Sequence, residues 1–167
     1  MPDAIEHLVA KIRDEHFAFP GASSDDILLA RSRGVPEEML NFYSICDGAY
    51  LGAGDDFLAP DGRRFRVAIS RLSVLQTTPE FGYIFQDSPL YAASMHWWQI
   101  VDYGDSNRLA FDAASNPPGR IIDVCHETVG EPGYQDIVAS TLKEYLEQAL
   151  VDAVFWMRED FEPIGAV

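Results

Sequence analysis

The stretch from Trp97 to Val124, WWQIVDYGDSNRLAFDAASNPPGRIIDV, leaves few folds open. It reads as three short strands joined by two tight polar connections. The first strand runs into Tyr103-Gly104-Asp105-Ser106-Asn107. In the second, Arg108 to Asp112, Leu109 and Phe111 alternate with Arg108, Ala110 and Asp112. That two-residue period marks a strand with one buried face. Ser115-Asn116-Pro117-Pro118-Gly119 ends it, because proline has no N–H for the ladder. The third strand, Arg120 to Cys125, is apolar and β-branched. So short a meander needs a cover, and the C-terminal segment from Gln135 to Arg158 supplies it. There Val138, Leu142, Tyr145, Leu146, Ala149, Leu150, Ala153 and Phe155-Trp156 predict one long helix with a wide apolar side.

Helical signals also fill the first third of the chain. Ile5, Leu8, Val9 and Ile12 share one face of a helix from Asp3 to Glu15. Pro20-Gly21 interrupts. Ser24 or Asp25 suits the N-cap of a second helix carrying Ile27, Leu28 and Leu29 and stopping near Gly34. The third starts at Pro36, with Glu37 and Glu38 at the positive end of its dipole, apolar Met39, Leu40, Tyr43 and Cys46, and an exit at Gly48. Tyr50-Leu51, Phe57-Leu58 and Arg64 to Ile69 are strand-like around the turn Ala59-Pro60-Asp61-Gly62-Arg63. Ser70 to Gln76 has no period that separates helix from strand, and Thr77 to Ser94 reads as a long connection. Helices at both ends of a central run of strands predict a single α+β domain over 1–167. Its central, mainly antiparallel sheet packs against N-terminal helices and a long C-terminal helix.

An apolar fraction of 47% supports a core of that size. No apolar run reaches the roughly 18 residues of a membrane span. The first residues carry acids where a secretion signal needs positive charge, so a cytoplasmic location is expected. Twelve Lys and Arg against 27 Asp and Glu give a net charge of −15. Such a surface repels nucleic acid and anionic lipid and attracts a basic partner. It also serves solubility alone.

Three segments resemble, in order, the SUKH superfamily, domains related to a fungal regulator of cell-wall synthesis. Val35 to Gly48, VPEEMLNFYSICDG, is similar to that family's proline-initiated, glycine-ended helix. WWQIVDYGDSNRLAFD with PPGRIIDV resembles its central hairpin. QDIVASTLKEYLEQAL resembles its closing helix, with Tyr145-Leu146 as the aromatic-leucine pair. The turn Asp102 to Asn107 departs from the usual glycine-rich form, Asp47-Gly48 stands where asparagine-glycine is common, and Thr77 to His96 has no counterpart. The resemblance implies an α+β fold without catalysis or cofactor. For bacterial members it implies an immunity protein that neutralises a secreted toxin domain, often a nuclease. A general adaptor or scaffold domain is the alternative it leaves open.

The residues offer little chemistry. Ser44 lacks a nucleophile elbow's flanking glycines, and Cys46 has no electropositive setting. Cys46 and Cys125 are expected as buried free thiols. His7, His16, His96 and His126 form no i, i+4 pair, and Cys125 and His126 on one strand face opposite ways. Gly52-Ala53-Gly54-Asp55-Asp56 is expected as a solvated loop, since its aspartates repel phosphate. No metal and no catalytic residue is assigned; an enzyme would need a pocket of converging polar groups. The expected partner surface is acidic: Asp55, Asp56, Asp102, Asp105 and Asp112, extended by Glu127 and Glu131. Trp97 and Trp98 point to opposite sides of their strand. One belongs to the core, and the other, taken as Trp98, is either an exposed anchor or packed under the final helix.

Overall fold

The computed structural model describes residues 4–82 and 84–167. Its strands are β1 (Phe17–Ala18), β2 (Ala49–Leu58), β3 (Arg64–Ile69), β4 (Trp97–Asp102), β5 (Arg108–Asp112), β6 (Arg120–Val124) and β7 (Ile137–Ala139). They form one seven-stranded antiparallel sheet in sequence order. Helices α1 (Ala4–Glu15), α2 (Ser24–Ser32) and α3 (Glu37–Ile45) precede most of it, α4 (Thr78–Phe81) and α5 (Tyr91–Ser94) interrupt it, and α6 (Leu142–Val151) follows. The fold is α+β, as expected. The expected helix start at Asp3 lies outside the described residues.

One face of the sheet carries the main core. Val9 and Ile12 of α1, Met39, Leu40 and Tyr43 of α3, and Tyr145 and Leu146 of α6 pack on Leu51, Val67, Trp98, Leu109, Phe111 and Ile121. Each such side chain contributes about 1.5–3 kcal/mol when fully buried. A bulge between Gln99 and Val101 turns both Ile100 and Val101 toward this core. Trp97, Ala110, Ile122 and Val124 belong to a second, smaller cluster on the other face, roofed by Leu90, Ala93 and Val129.

That roof changes two expectations. The segment from Thr77 to Ser94 is not a bare connection: α4 opens in a capping box between Thr77 and Glu80, and α4 contacts β4. Both tryptophans are buried, Trp97 at 0% exposure under this roof and Trp98 at 5% in the main core on the other face. Trp98 is not an exposed anchor.

The C-terminal helix is shorter than expected. Ile137 to Ala139 is strand, pairing Ile122 with Ile137 and Ile121 with Ala139. Thr141 then caps α6 by accepting the Glu144 N–H, while the Glu144 carboxylate accepts the Ser140 N–H. Asp152 leaves helical geometry at φ −147°, and Phe155–Met157 is a single 3₁₀ turn. Val138 was apolar because it faces the core from a strand, not from a helix. The final residues add to the β7 edge, with Ile137 N–H donating to Gly165 and Ile164 N–H to Ile137.

Further differences are local. Ser23, not Ser24 or Asp25, caps α2 by accepting the Asp26 N–H. Of the apolar residues expected in its core face, Ile27 is half-buried and Leu28 and Leu29 are exposed; Ala30 is the buried one. Ser70 to Gln76 contains a 3₁₀ turn, Leu72–Val74. Gly52 to Asp56 lies inside β2, where a bulge sets Ala53 and Phe57 both opposite Phe65. Cys46 is buried, but Cys125 is only partly so, because β6 ends at Val124 and Cys125 and His126 enter the next connection.

Candidate protein-binding surface

In an antiparallel meander the connections alternate between the two ends of the sheet. The β2–β3 hairpin, the β4–β5 turn and the β6–β7 loop consequently share one end. Asp55 and Asp56 sit on the bulge of β2, Asp102 and Asp105 border the β4–β5 turn, and Glu127 and Glu131 lie in the β6–β7 loop. Six of the eight expected residues therefore come together.

Contacts tie these connections to one another. A Cβ built on Gly104 would stand 3.9 Å from Asp56 Oδ1 and 4.0 Å from Arg66 Nη1, so the turn abuts the bulge. Asn107 Oδ1 accepts the His126 N–H at 3.2 Å and lies 2.9 Å from His126 Nδ1, which joins the loop to the turn. Gly130 accepts the Ser88 hydroxyl at 2.7 Å, which fixes the stretch before Glu131 to the roof.

Within the turn, Gly104, Asp105 and Ser106 have φ of 96°, 52° and 64°. Asn107 N–H donates to Gly104 at 3.0 Å. Two central residues at positive φ give the sense of twist that joins adjacent strands tightly. Asp102 accepts the Gly104 N–H at 3.0 Å and fixes the start of the turn.

The acids differ in what they have left to offer. Asp56 is paired with Arg66 at 2.7 Å, Asp102 with Arg108 at 2.9 Å and Asp61 with Arg63 at 2.8 Å. Asp55, Asp105, Glu127 and Glu131 are exposed and, among the described residues, have no ion pair. The free charge of this end resides in those four and in Asp136, exposed and, among the described residues, without an ion pair at the close of the same β6–β7 loop. Composition alone identifies the excess of acids, but Arg66 and Arg108, which neutralise Asp56 and Asp102, lie across strands, out of reach of local sequence patterns.

Asp112 does not belong to the surface. It lies at the opposite end of β5, is 2% exposed, and binds Arg120 Nε and Nη2 at 2.8 Å each. Its other oxygen accepts the Ala114 N–H at 3.0 Å, holding the following turn. The alternation of β5 placed it on the polar face correctly, but that face is covered. Trp98 lies under Arg33, 5.7 Å from the ring centroid, in mid-sheet.

Asp123 was not singled out in the sequence. It sits at this end on β6, half-buried, receiving the Tyr103 hydroxyl and facing Asp136. Burial pushes its carboxyl up to about 6, against a partly opposing hydrogen bond from Tyr103. Its place in IIDV looks like ordinary strand alternation, so no local signal marks it.

Other groups are committed to structure. Burial raises the Cys46 thiol to about 11, and the Sγ lies 3.2 Å from the Gly48 carbonyl. A thiol held protonated at neutral pH is a poor nucleophile. The Ser44 hydroxyl donates to Asn41. Among the described residues no group of three His, Cys, Asp or Glu side chains could hold a metal ion. A hollow of about 640 Å³ is an open groove between the end of α2, α4 and α5, lined by Arg33, Thr77, Glu80, Tyr91, Met95 and Trp98 among others.

Among the described residues no helix is long and apolar enough to cross a membrane. No protein-family model matches the chain, and no curated protein matches it.

Proposed function

We propose that this domain is a non-catalytic binding protein that holds a basic protein partner at the acidic end of its sheet. The reading favoured is immunity: occlusion, in the cytoplasm, of a secreted toxin domain of nuclease type. The observation that carries it is the convergence of Asp55, Asp105, Glu127 and Glu131, exposed and without ion pairs among the described residues, in a chain of net charge −15. A nuclease cleft is basic because it binds phosphates. Acids presented on a hairpin, a turn and a loop complement such a cleft and speed encounter with it. The ordered resemblance of three segments to SUKH domains supports the same reading.

The test is binding to the C-terminal toxin domain of the secreted protein encoded nearest upstream, with toxin activity assayed alongside. The expected result is nanomolar affinity, about −12 kcal/mol, and loss of toxin activity at equimolar protein. Absence of binding at high micromolar concentration would overturn immunity and leave the adaptor reading, which predicts weaker binding to several partners.

A further inference from the structure

Residues 164–167 cover the outer edge of β7. Ile164 N–H donates to the Ile137 carbonyl at 3.0 Å, and Ile137 N–H donates to Gly165 at 2.8 Å. Val167 N–H donates to Gln135 at 3.0 Å, and Gly133 N–H donates to Val167 at 2.7 Å. Between these bonds Asp136 and Ala166 form an antiparallel pair. A bare sheet edge is a template for another strand, so the segment acts as a strap over a strand-docking position.

The strap is a weak occupant. Residues 162–166 are all exposed, Ile164 at 57%. Of the four covering residues, Val167 alone packs on a core cluster. Glycine and alanine, at 165 and 166, are depleted in strands. The anchor upstream is Phe161, whose ring lies 5.7 Å from that of Phe155, and the exposed Glu162-Pro163 joins it to the strap. A segment held by main-chain bonds and one half-buried side chain opens without disturbing the core. Opening bares Ile137 and Gln135 and frees Gly133, in the loop that carries Glu127 and Glu131.

The edge also shows what would fit it better. Val167 packs on the second cluster, and a Cβ on Gly165 would meet Ile137 Cδ1 at 3.4 Å, so positions 165 and 167 face that side. Ala166 faces the other way, directly opposite Asp136. Their pair is of the non-hydrogen-bonded kind, in which side chains stand closest. Asp136 is exposed, has no ion pair among the described residues, and faces Asp123 of β6. The strap sets only a methyl group against it. A strand with lysine or arginine there would set a cation against an unpaired carboxylate, and opposite charges across such a pair stabilise it.

We propose that the β7 edge is a strand-docking site, closed by residues 164–167 and taken over by an extended segment of a basic partner, with an apolar residue in place of Val167 and a lysine or arginine opposite Asp136. Main-chain bonds would hold that segment, and alternate side chains would select it. The inference rests on the proposed function only for the partner being basic.

The test uses the full chain and labelled peptides of residues 160–167, followed by fluorescence anisotropy. One peptide keeps alanine at 166, one carries Ala166→Lys and one Ala166→Glu. Val167→Asp in the protein drives its own strap off the second cluster. This variant should bind the lysine peptide at least ~3-fold tighter than the alanine peptide and ~10-fold tighter than the glutamate peptide. Adding Asp136→Asn, at an exposed side chain, should erase that ranking. Wild type should bind the lysine peptide at least ~10-fold more weakly than Val167→Asp does, because the tethered strap competes at high local concentration. Hydrogen exchange in wild type should be at least ~10-fold faster at Gly133 and Ile137 than in β5. Ala166→Lys in the full chain should slow exchange at both amides and Ala166→Glu should quicken it, a reading that stands even if Val167→Asp fails to fold. Equal affinity for the three peptides, equal binding to wild type and Val167→Asp, no binding at high micromolar concentration, or exchange at Gly133 and Ile137 as slow as in β5 would overturn the proposal. No step uses the toxin, so failure here leaves the toxin-binding test standing, and absence of toxin binding leaves this one.

Discussion

At Asp105 and Ser106 the backbone occupies a conformation that costs an L-residue about 1–2 kcal/mol. Aspartate tolerates it better than serine, through its short polar side chain. Ser106→Gly should therefore stabilise the domain, by about 0.5–1 kcal/mol after glycine's extra unfolded-state entropy; urea unfolding would measure it, and a loss of stability would mean the serine makes a compensating contact. Asp112 behaves oppositely. Asp112→Ala removes the buried carboxylate, strands the Ala114 N–H and leaves the partly exposed Arg120 unpaired, and should cost about 1–3 kcal/mol in the same assay. Asp123 sets a pH dependence. Its folded carboxyl titrates at about 6, above the ordinary 3.8, so its contribution to stability is greatest below pH 3.8 and is lost as pH rises through 6. Asp123→Asn should thus gain stability relative to wild type as pH rises from 4 to 7, then level off. A difference independent of pH across that window would show that the carboxyl is not buried as described. Asp112 and Asp123 also mark what single residues disclose. Alternation assigned Asp112 to a face and left Asp123 unmarked, because whether a face is roofed depends on residues far along the chain.

Elements were legible where a local period or cap dominated. Ile5, Leu8, Val9 and Ile12 gave α1, and the meander around Leu109 and Phe111 gave β4 to β6. The C-terminal helix was read too long because Ile137-Val138-Ala139 merges into the apolar periodicity of α6. The Thr141 to Glu144 spacing, a capping-box pattern written in the sequence, was the signal that separates them. The bulge in β2 was not legible, since its cause is tertiary. Gly52 has φ 69°, and a Cβ there would lie 2.5 Å from the Ala153 Cβ; a Cβ on Gly54 would lie 2.9 Å from Arg66 Cα. The strand needs glycine at both places because α6's exit and β3 approach too closely for a side chain. Gly52→Ala should cost at least ~2 kcal/mol, combining strain with displacement of Ala153. Thermal unfolding would read this as a lower Tm, and an unchanged Tm would remove the close approach as the reason for that glycine.

For the whole molecule, one quantity acts on stability and on recognition with opposite signs. A net charge of −15 makes the folded chain repel itself, and the unpaired acids at one end of the sheet concentrate part of that repulsion. Salt shortens the reach of these charges, from about 30 Å at 0.01 M to about 10 Å at 0.1 M. Raising sodium chloride should therefore raise the Tm of the free protein while slowing its association with a cationic partner. The residues to change follow from the pairing at that end. Reversing Asp102 would set a lysine against Arg108 and damage the turn it anchors, so a loss of binding there would be ambiguous. Asp55 has no such partner, and asparagine at position 105 accepts the positive φ of the turn. Asp55→Lys with Asp105→Asn should raise the Tm at low salt and flatten its salt dependence. The same variant should slow association with a basic toxin domain at least ~10-fold at low ionic strength, with little change in dissociation. If the Tm responds and the association rate does not, the charges repel one another as described but the partner docks elsewhere, and the acidic end of the sheet serves solubility alone.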